Sequence, residues 1–156
     1  MKDIVVFYSL TGNHKKAAEI ISKMLQCNSV EIKEMFERSK AGLFKYIFNG
    51  YEAVIRKASE IKTINEDFLN YDRVIFLTPV WAGRLPPPSR TFLNKYKGEI
   101  KNIVVLSISG RGNGNKGFEK DVEETLKRKP NICLQFSERE FKQGEFEKKL
   151  AELFKK

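Results

Sequence analysis

Three short stretches hold the residues whose types and spacing could do chemistry: SLTGNH at 9–14, TPVWAGRLPPP at 78–88 and SGRGNGNKG at 109–117. In the first, Ser9 and Thr11 offer hydroxyl donors, and Gly12 lets the backbone close around an anion. Asn13 and His14 would then open a helix whose leading N–H groups lack partners and carry partial positive charge. The same residue types also make an ordinary turn and helix cap. The stretch has neither the glycine run and Lys-Ser/Thr pair of a Walker loop nor GxGxxG, because Gly12 is its only glycine. A single terminal phosphate suits it better than a dinucleotide pyrophosphate.

In the second stretch the chain's only tryptophan, Trp81, follows Pro79 and Val80 and precedes Ala82 and Gly83. Pro86, Pro87 and Pro88 then stiffen the entry to a helix, where a proline in the first turn loses no hydrogen bond. A braced indole can stack on a flat aromatic ligand, or it can plug the edge of a sheet. The third stretch has Gly110, Gly112, Gly114 and Gly117 beside Ser109 and Arg111. So many glycines can follow a planar ring closely, or form a mobile surface turn that costs ordering entropy. Arg111 and Lys116 are either solvated or available to a phosphate or a reducing dinucleotide.

What must position these stretches is an alternation of strands and helices. Five short apolar runs read as strands, at 3–9, 29–35, 73–79, 102–109 and 131–137. The first, third and fourth are nearly continuous Val, Ile, Leu and Phe, the pattern of strands buried on both faces of a parallel sheet. Between them, Ala17, Ile20, Ile21, Met24 and Leu25 recur at helical spacing over Asn13 to Leu25. Val122 and Leu126 do so within 119–129, and Phe146, Leu150, Leu153 and Phe154 near the end. Such alternation predicts an open α/β sheet with helices on both faces. Right-handed crossovers then bring the loops at 9–14, 79–85 and 109–117 to one edge, where ligands of such folds bind.

The segment Phe36 to Phe68 is the least regular. Phe44, Ile47, Phe48, Tyr51, Val54, Ile55 and Ala58 fit a helical face, interrupted by Gly50. The expectation is an extra or broken helix beside the sheet, with its aromatic residues available for a lid, a partner surface or a dimer contact.

The 156 residues suit a single domain over 1–156, with 41% hydrophobic and 31% charged residues. No run approaches the roughly 20 apolar residues of a membrane span, and the apolar run near the start is too short for a secretory signal core. The expected location is cytoplasmic. Cys27 and Cys133 form no CxxC or metal-ligand pattern; Cys133 is expected in the core and Cys27 at partial exposure. The net charge of +9 has no basic tail, so it argues for anionic ligands or acidic protein partners more than for nucleic acid.

Taken in this order on a chain of this length, the three stretches resemble the flavodoxin-like family. SLTGN looks like its phosphate loop, and TPVWAG with the proline cluster looks like the form in small flavodoxin-type domains and related flavin reductases. The resemblance implies a three-layer α/β sandwich with a five-stranded parallel sheet in order 2-1-3-4-5, binding flavin mononucleotide (FMN) noncovalently. It implies that Ser9, Thr11, Gly12 and Asn13 hold the phosphate and that Pro79, Val80, Trp81, Ala82 and Gly83 line the isoalloxazine. Ser109, Gly110, Arg111 and Gly112 would cover the other edge. His14 stands where the family usually has another hydroxyl residue. It is expected either in solvent or against the phosphate, where it would titrate near neutrality. The third loop lacks the aromatic residue many flavodoxins place on the flavin, and the basic charge is opposite to that of typical carriers.

Three functions follow from the resemblance. The first is an FMN electron-transfer protein with a redox protein partner. Another is an NAD(P)H-dependent flavin or quinone reductase that passes electrons to a small acceptor. The last is a non-redox, flavodoxin-shaped binding module, to which His14 is the pointer. No acid–base pair or nucleophile stands near the loops, so no catalytic residue and no metal ligand is named.

Overall fold

The computed structural model describes residues 1–36, 43–112 and 114–155, with the backbone alone for 43–47. The strands are β1 (Asp3–Phe7), β2 (Asn28–Glu31), β3 (Arg73–Leu77), β4 (Ile103–Ser109) and β5 (Ile132–Ser137). The helices are α1 (Asn13–Leu25), α2 (Leu43–Val54), α3 (Pro87–Tyr96), α4 (Lys116–Leu126), α5 (Glu138–Lys142) and α6 (Glu145–Leu153). All strand pairings are parallel, in the order β2-β1-β3-β4-β5. This is the topology expected above.

The continuous apolar runs bury both faces of the sheet. Ile4, Val6, Val74, Phe76, Ile103 and Val105 point into one core with Phe92, Leu93 and Tyr96 of α3 and Phe118, Val122 and Leu126 of α4. Their neighbours Val5, Phe7, Ile75, Leu77, Val104 and Leu106 face a second core with Ala17, Ala18 and Ile21 of α1 and Phe146 and Leu150 of α6. One-residue alternation along each strand divides the side chains between the two layers.

Several expected boundaries shift for physical reasons. Strand β1 stops at Phe7 and β3 at Leu77, the last pair of their ladder, leaving Tyr8–Ser9 and Thr78–Pro79 as loop. Strand β2 ends at Glu31, and the chain beyond it pairs with 60–62 instead, through an antiparallel Glu34–Ile61 bridge. Before α6 the structure adds α5, opened by a capping box between Ser137 and Glu140. Both cysteines are free and half-buried, and burial pushes the Cys133 thiol up to about 12.

The largest departure lies in α2. Its large apolar side chains among the described residues do not pack beside the sheet: Phe48 and Tyr51 are each 61% exposed and Val54 is also exposed, as are Ile55 and Ala58 just beyond the helix. Asn49, Glu52 and Ala53 are buried instead. Gly50 sits on the inner side, where an added Cβ would lie 3.5 Å from the Ala82 Cβ. Gly50 lets the helix approach the 81–84 turn, and Phe48, Tyr51 and Val54 are left outside. The side chains of Phe44 and Ile47 lie outside the described residues.

A buried ion pair joins α3 to α4. Both Arg90 terminal nitrogens meet Asp121 at 2.8 Å, and Asp121 also accepts the Leu85 N–H at 2.9 Å. Burial pushes the Asp121 carboxyl up, but Arg90 and the Leu85 amide outweigh it and hold the carboxyl below its ordinary value. Arg56 adds a second cation at 3.5 Å. Removing one partner of such a pair strands a buried charge. Asp121→Ala is therefore expected to cost about 3–5 kcal/mol in urea unfolding, and Asp121→Asn, which keeps an acceptor for Leu85, less.

Candidate functional site

The C-terminal ends of β1, β3 and β4 open onto one cleft of about 260 Å³, lined by Thr11, Asn13, His14, Pro79, Val80, Trp81, Ala82, Ser109 and Gly110. Leu10, Ile108, Asn49, Gly50 and Glu138 complete its wall. A neighbouring depression shares Val80, Ala82, Ser109 and Gly110 and adds Gly83, Arg111 and Asn115. Of the residues named from sequence, Ser9 and Gly12 shape a loop wall without lining the cleft, and Gly112 lies away from it.

The first loop is a tight turn. Ser9 Oγ accepts the Gly12 N–H at 3.1 Å, and Gly12 has φ +100, a conformation that favours glycine. An added Cβ at Gly12 would meet nothing within 4 Å, so the backbone is open on that side. Helix α1 follows with no side-chain cap and no acidic residue in its first turn. Its leading amides are left to an external acceptor, and the dipole favours a negative one.

The second loop is held by a two-residue turn. Trp81 and Arg84 exchange both backbone hydrogen bonds, at 2.9 and 3.0 Å, around Ala82 (φ +46) and Gly83 (φ +73). Positive φ at both central positions is the pattern of a type I′ turn, which for Ala82 costs about 1 kcal/mol. The strained residue is thereby pushed out to the cleft. Trp81 is half-buried, packs on the core and meets Tyr8 edge to face at 5.8 Å. Pro86 caps α3, with Pro87 and Pro88 in its first turn, all three buried. Thr78 and Ser89 hydroxyls meet at 2.7 Å, tying the loop's two ends together.

The third loop is anchored at its middle. At Gly112 (φ +69) an added Cβ would come within 2.7 Å of the Ser137 Cβ, so only glycine fits. Asn115 caps α4 by accepting the Phe118 N–H at 3.0 Å, and the same side chain lies against Gly83. The second and third loops therefore brace each other. Gly110 remains open, with nothing within 4 Å of an added Cβ.

His14 does not behave as expected. It is 4% exposed, not solvated, and its Nε2 accepts the Ile108 N–H at 3.2 Å. The ring also faces the Thr78 backbone, a contact that favours its protonated form. Desolvation outweighs that contact and pushes its pKa from 6.5 down to about 4, so the ring is neutral at pH 7. With Nε2 used as an acceptor, it cannot donate to a phosphate.

Around the cleft the field is positive. Lys15, Lys16, Arg111 and Lys116 are exposed near its loops, and Glu138 is the only ionisable carboxylate in its lining. Sequence reasoning missed Glu138, although a fifth strand ending at Ser137 puts the next residue at the same edge. Leu10 and Ile108 adjoin named residues. Asn49 and Gly50 carried no signal beyond the glycine interrupting the helical pattern, because α2 is placed by tertiary packing alone.

No protein-family model matches the chain, and no curated protein matches it in sequence. Solved structures do match in fold. A flavoprotein from Lactobacillus acidophilus, solved in complex with FMN, has a TM-score of 0.74 at 22% identity over 94% of this chain and 98% of its own. The Fusobacterium nucleatum flavodoxin bound to FMN has a TM-score of 0.52 at 14% identity, covering 99% of this chain and 100% of its own. Oxidised flavodoxin 1 from Bacillus cereus gives 0.51 at 14% identity, covering 95% and 98%. The fold is flavodoxin-like.

The depressed His14 pKa fixes a pH dependence. Between about pH 4 and 6.5 the unfolded chain binds a proton that the folded ring refuses, so stability rises with pH across that window. The group's contribution is complete above pH 6.5 and amounts to about 3 kcal/mol, lost progressively down to pH 4. Urea melts in that range are expected to flatten by this amount in His14→Gln.

Proposed function

We propose that this protein binds FMN in the cleft and uses it to transfer electrons. One observation carries the reading: an uncapped α1 N-terminus, the Trp81–Arg84 turn and the open Ser109–Gly110 backbone all face a single cleft at the strand ends. FMN has a phosphate at one end and a planar ring at the other, and the cleft has donors for the first and apolar walls for the second. The backbone at Gly12 and Gly110 is open enough for a ligand to lie close. That solved structures of this fold hold FMN supports the assignment.

In this reading the Thr11 hydroxyl, the Asn13 side chain and the leading amides of α1 hold the phosphate, while Ser9 keeps the turn closed behind them. Trp81 flanks the ring and limits water on that side. The Ala82 and Gly83 backbone meets one ring edge; Ser109, Gly110 and Arg111 meet the other. When bound, the flavin supplies the redox chemistry, taking up and releasing one or two electrons. No side chain has to act as acid, base or nucleophile. The positive rim suits an acidic redox protein partner, and the working compartment in this reading is the cytoplasm.

A second reading, an NAD(P)H-dependent flavin or quinone reductase, is favoured by the open face above Gly110. The exposed Arg111 and Lys116 beside it make no ion pair among the described residues. A hydride donor with phosphates would find both space and counter-charge there.

Titration with FMN tests the assignment, because Trp81 is the only tryptophan and its fluorescence reports this cleft alone. Saturable quenching at micromolar FMN or tighter is expected, with riboflavin at least about tenfold weaker for want of the phosphate contacts. Trp81→Ala, followed by the absorbance and fluorescence of the flavin itself because the variant holds no tryptophan, should weaken FMN by roughly 2- to 12-fold, the worth of one aromatic stacking contact. An absence of saturable quenching would sink both redox readings. Rapid anaerobic bleaching of the bound flavin by NADPH would select the reductase over the carrier.

A further inference from the structure

We propose that His14 is a positioning residue: its imidazole straps the first loop to the ends of β3 and β4, and so sets the geometry of the whole flavin cleft without bonding the phosphate. The inference rests on the flavin reading and deepens it.

The ladder explains why a ring is needed there. Strands β3 and β4 are in register from Val74–Ile103 to Leu77–Leu106, and the Thr78 N–H still reaches the Leu106 carbonyl at 3.0 Å. Beyond that bond β3 turns away at Pro79 into the Trp81 loop, while β4 runs on to Ser109. Alternation along β4 aims the Ile108 N–H at the same side as the Leu106 carbonyl, toward a strand that has left. The buried amide needs an acceptor, since leaving it unpaired costs about 1–3 kcal/mol. The His14 Nε2 fills the gap at 3.2 Å.

With Nε2 accepting, the ring proton sits on Nδ1, and the ring's contact with the Thr78 backbone is of the kind that favours a proton there. One side chain from the second residue of α1 thus holds the last residue before Pro79 and the last residue before Ser109. Each of the three is the root of one of the loops that form the cleft. A hydroxyl in this position is too short to span both strand ends, whereas a neutral imidazole has an acceptor and a donor on opposite sides of a rigid ring.

Nothing ionised presses on the ring from the cleft except at its rim. The lining residues from the first loop, from α2, from 79–82 and from 108–110 are all non-ionisable, and Glu138 is the only carboxylate. Lys15 and Lys16, next on α1, are exposed, as is Arg111; Glu52, buried on α2, is paired with Lys57. The neutral strap is therefore stable across ordinary pH.

The test compares three variants. His14→Phe keeps the ring's bulk but no polar nitrogen, His14→Gln restores a donor and an acceptor, and His14→Asn carries both on a side chain too short to take the Ile108 N–H in place of Nε2. In flavin-free protein, amide exchange at Ile108 and Gly110 is expected to quicken at least tenfold in His14→Phe and His14→Asn. Exchange at Val104–Leu106 should stay unchanged, and His14→Gln should match the wild type.

With ligand, His14→Phe should weaken FMN and riboflavin alike, each by about tenfold, with His14→Gln within about threefold of wild type. Loss of FMN affinity alone, with riboflavin unaffected, would instead make His14 a phosphate contact and overturn the proposal. So would unchanged exchange at Ile108 in His14→Phe and His14→Asn. If His14→Phe does not fold, the Asn and Gln pair gives the same comparison. Should the wild type bind no flavin, the flavin reading falls, and the exchange experiment still decides whether the strap exists.

Discussion

Parallel pairing of three strands buried on both faces is the constraint on which everything else in this protein depends. Parallel neighbours cannot be joined by a tight hairpin, so each connection must cross the sheet, and the crossing helices cover the two faces. With β1, β3 and β4 sealed between two apolar layers, their C-terminal ends emerge together at one edge. Three loops that are up to about a hundred residues apart in sequence become neighbours for that reason alone.

Placing loops at one edge does not make a site; they also have to be held still. The molecule does this with polar contacts that are buried and specific. Arg90 and Asp121 fix the entry to α3 against α4, and Asp121 takes the Leu85 amide in the same grip. Thr78 and Ser89 close the loop between them. Asn115 couples that loop to the next one, and His14 couples both strand ends to α1. Each contact is costly to break because its partners are out of water. That rigidity is what allows Ala82 to be kept at a positive φ on the cleft wall.

Helix α2 follows a different logic. Its inner side is built from Asn49, Gly50, Glu52 and Ala53, and its outer side exposes Phe48, Tyr51 and Val54. Burying the larger residues would gain apolar area, yet the close fit of Gly50 over Ala82 leaves no room for them. Proximity to the cleft, not coverage of the sheet, decides which way this helix faces.

Much of this was legible in the amino-acid order. Continuous Val, Ile, Leu and Phe in three runs, alternating with helical patterns, pointed to a doubly covered parallel sheet, because a strand buried on both faces carries apolar residues at successive positions. The periodicity of Ala17, Ile20 and Ile21 determined α1, and glycine, proline and tryptophan marked the loops that carry the cleft. These are local signals, set by backbone sterics and one-dimensional spacing. Only the tertiary structure decided what depends on groups far apart in the chain. Nothing local in the sequence marks Asp121 and Arg90, 31 residues apart, as partners; the packing of α3 on α4 buries them face to face. His14 read as a solvated or phosphate-binding residue until the parting of β3 from β4 left an amide for it to satisfy. Composition cannot reveal such a vacancy, since it exists only where two strands that are paired in space go separate ways.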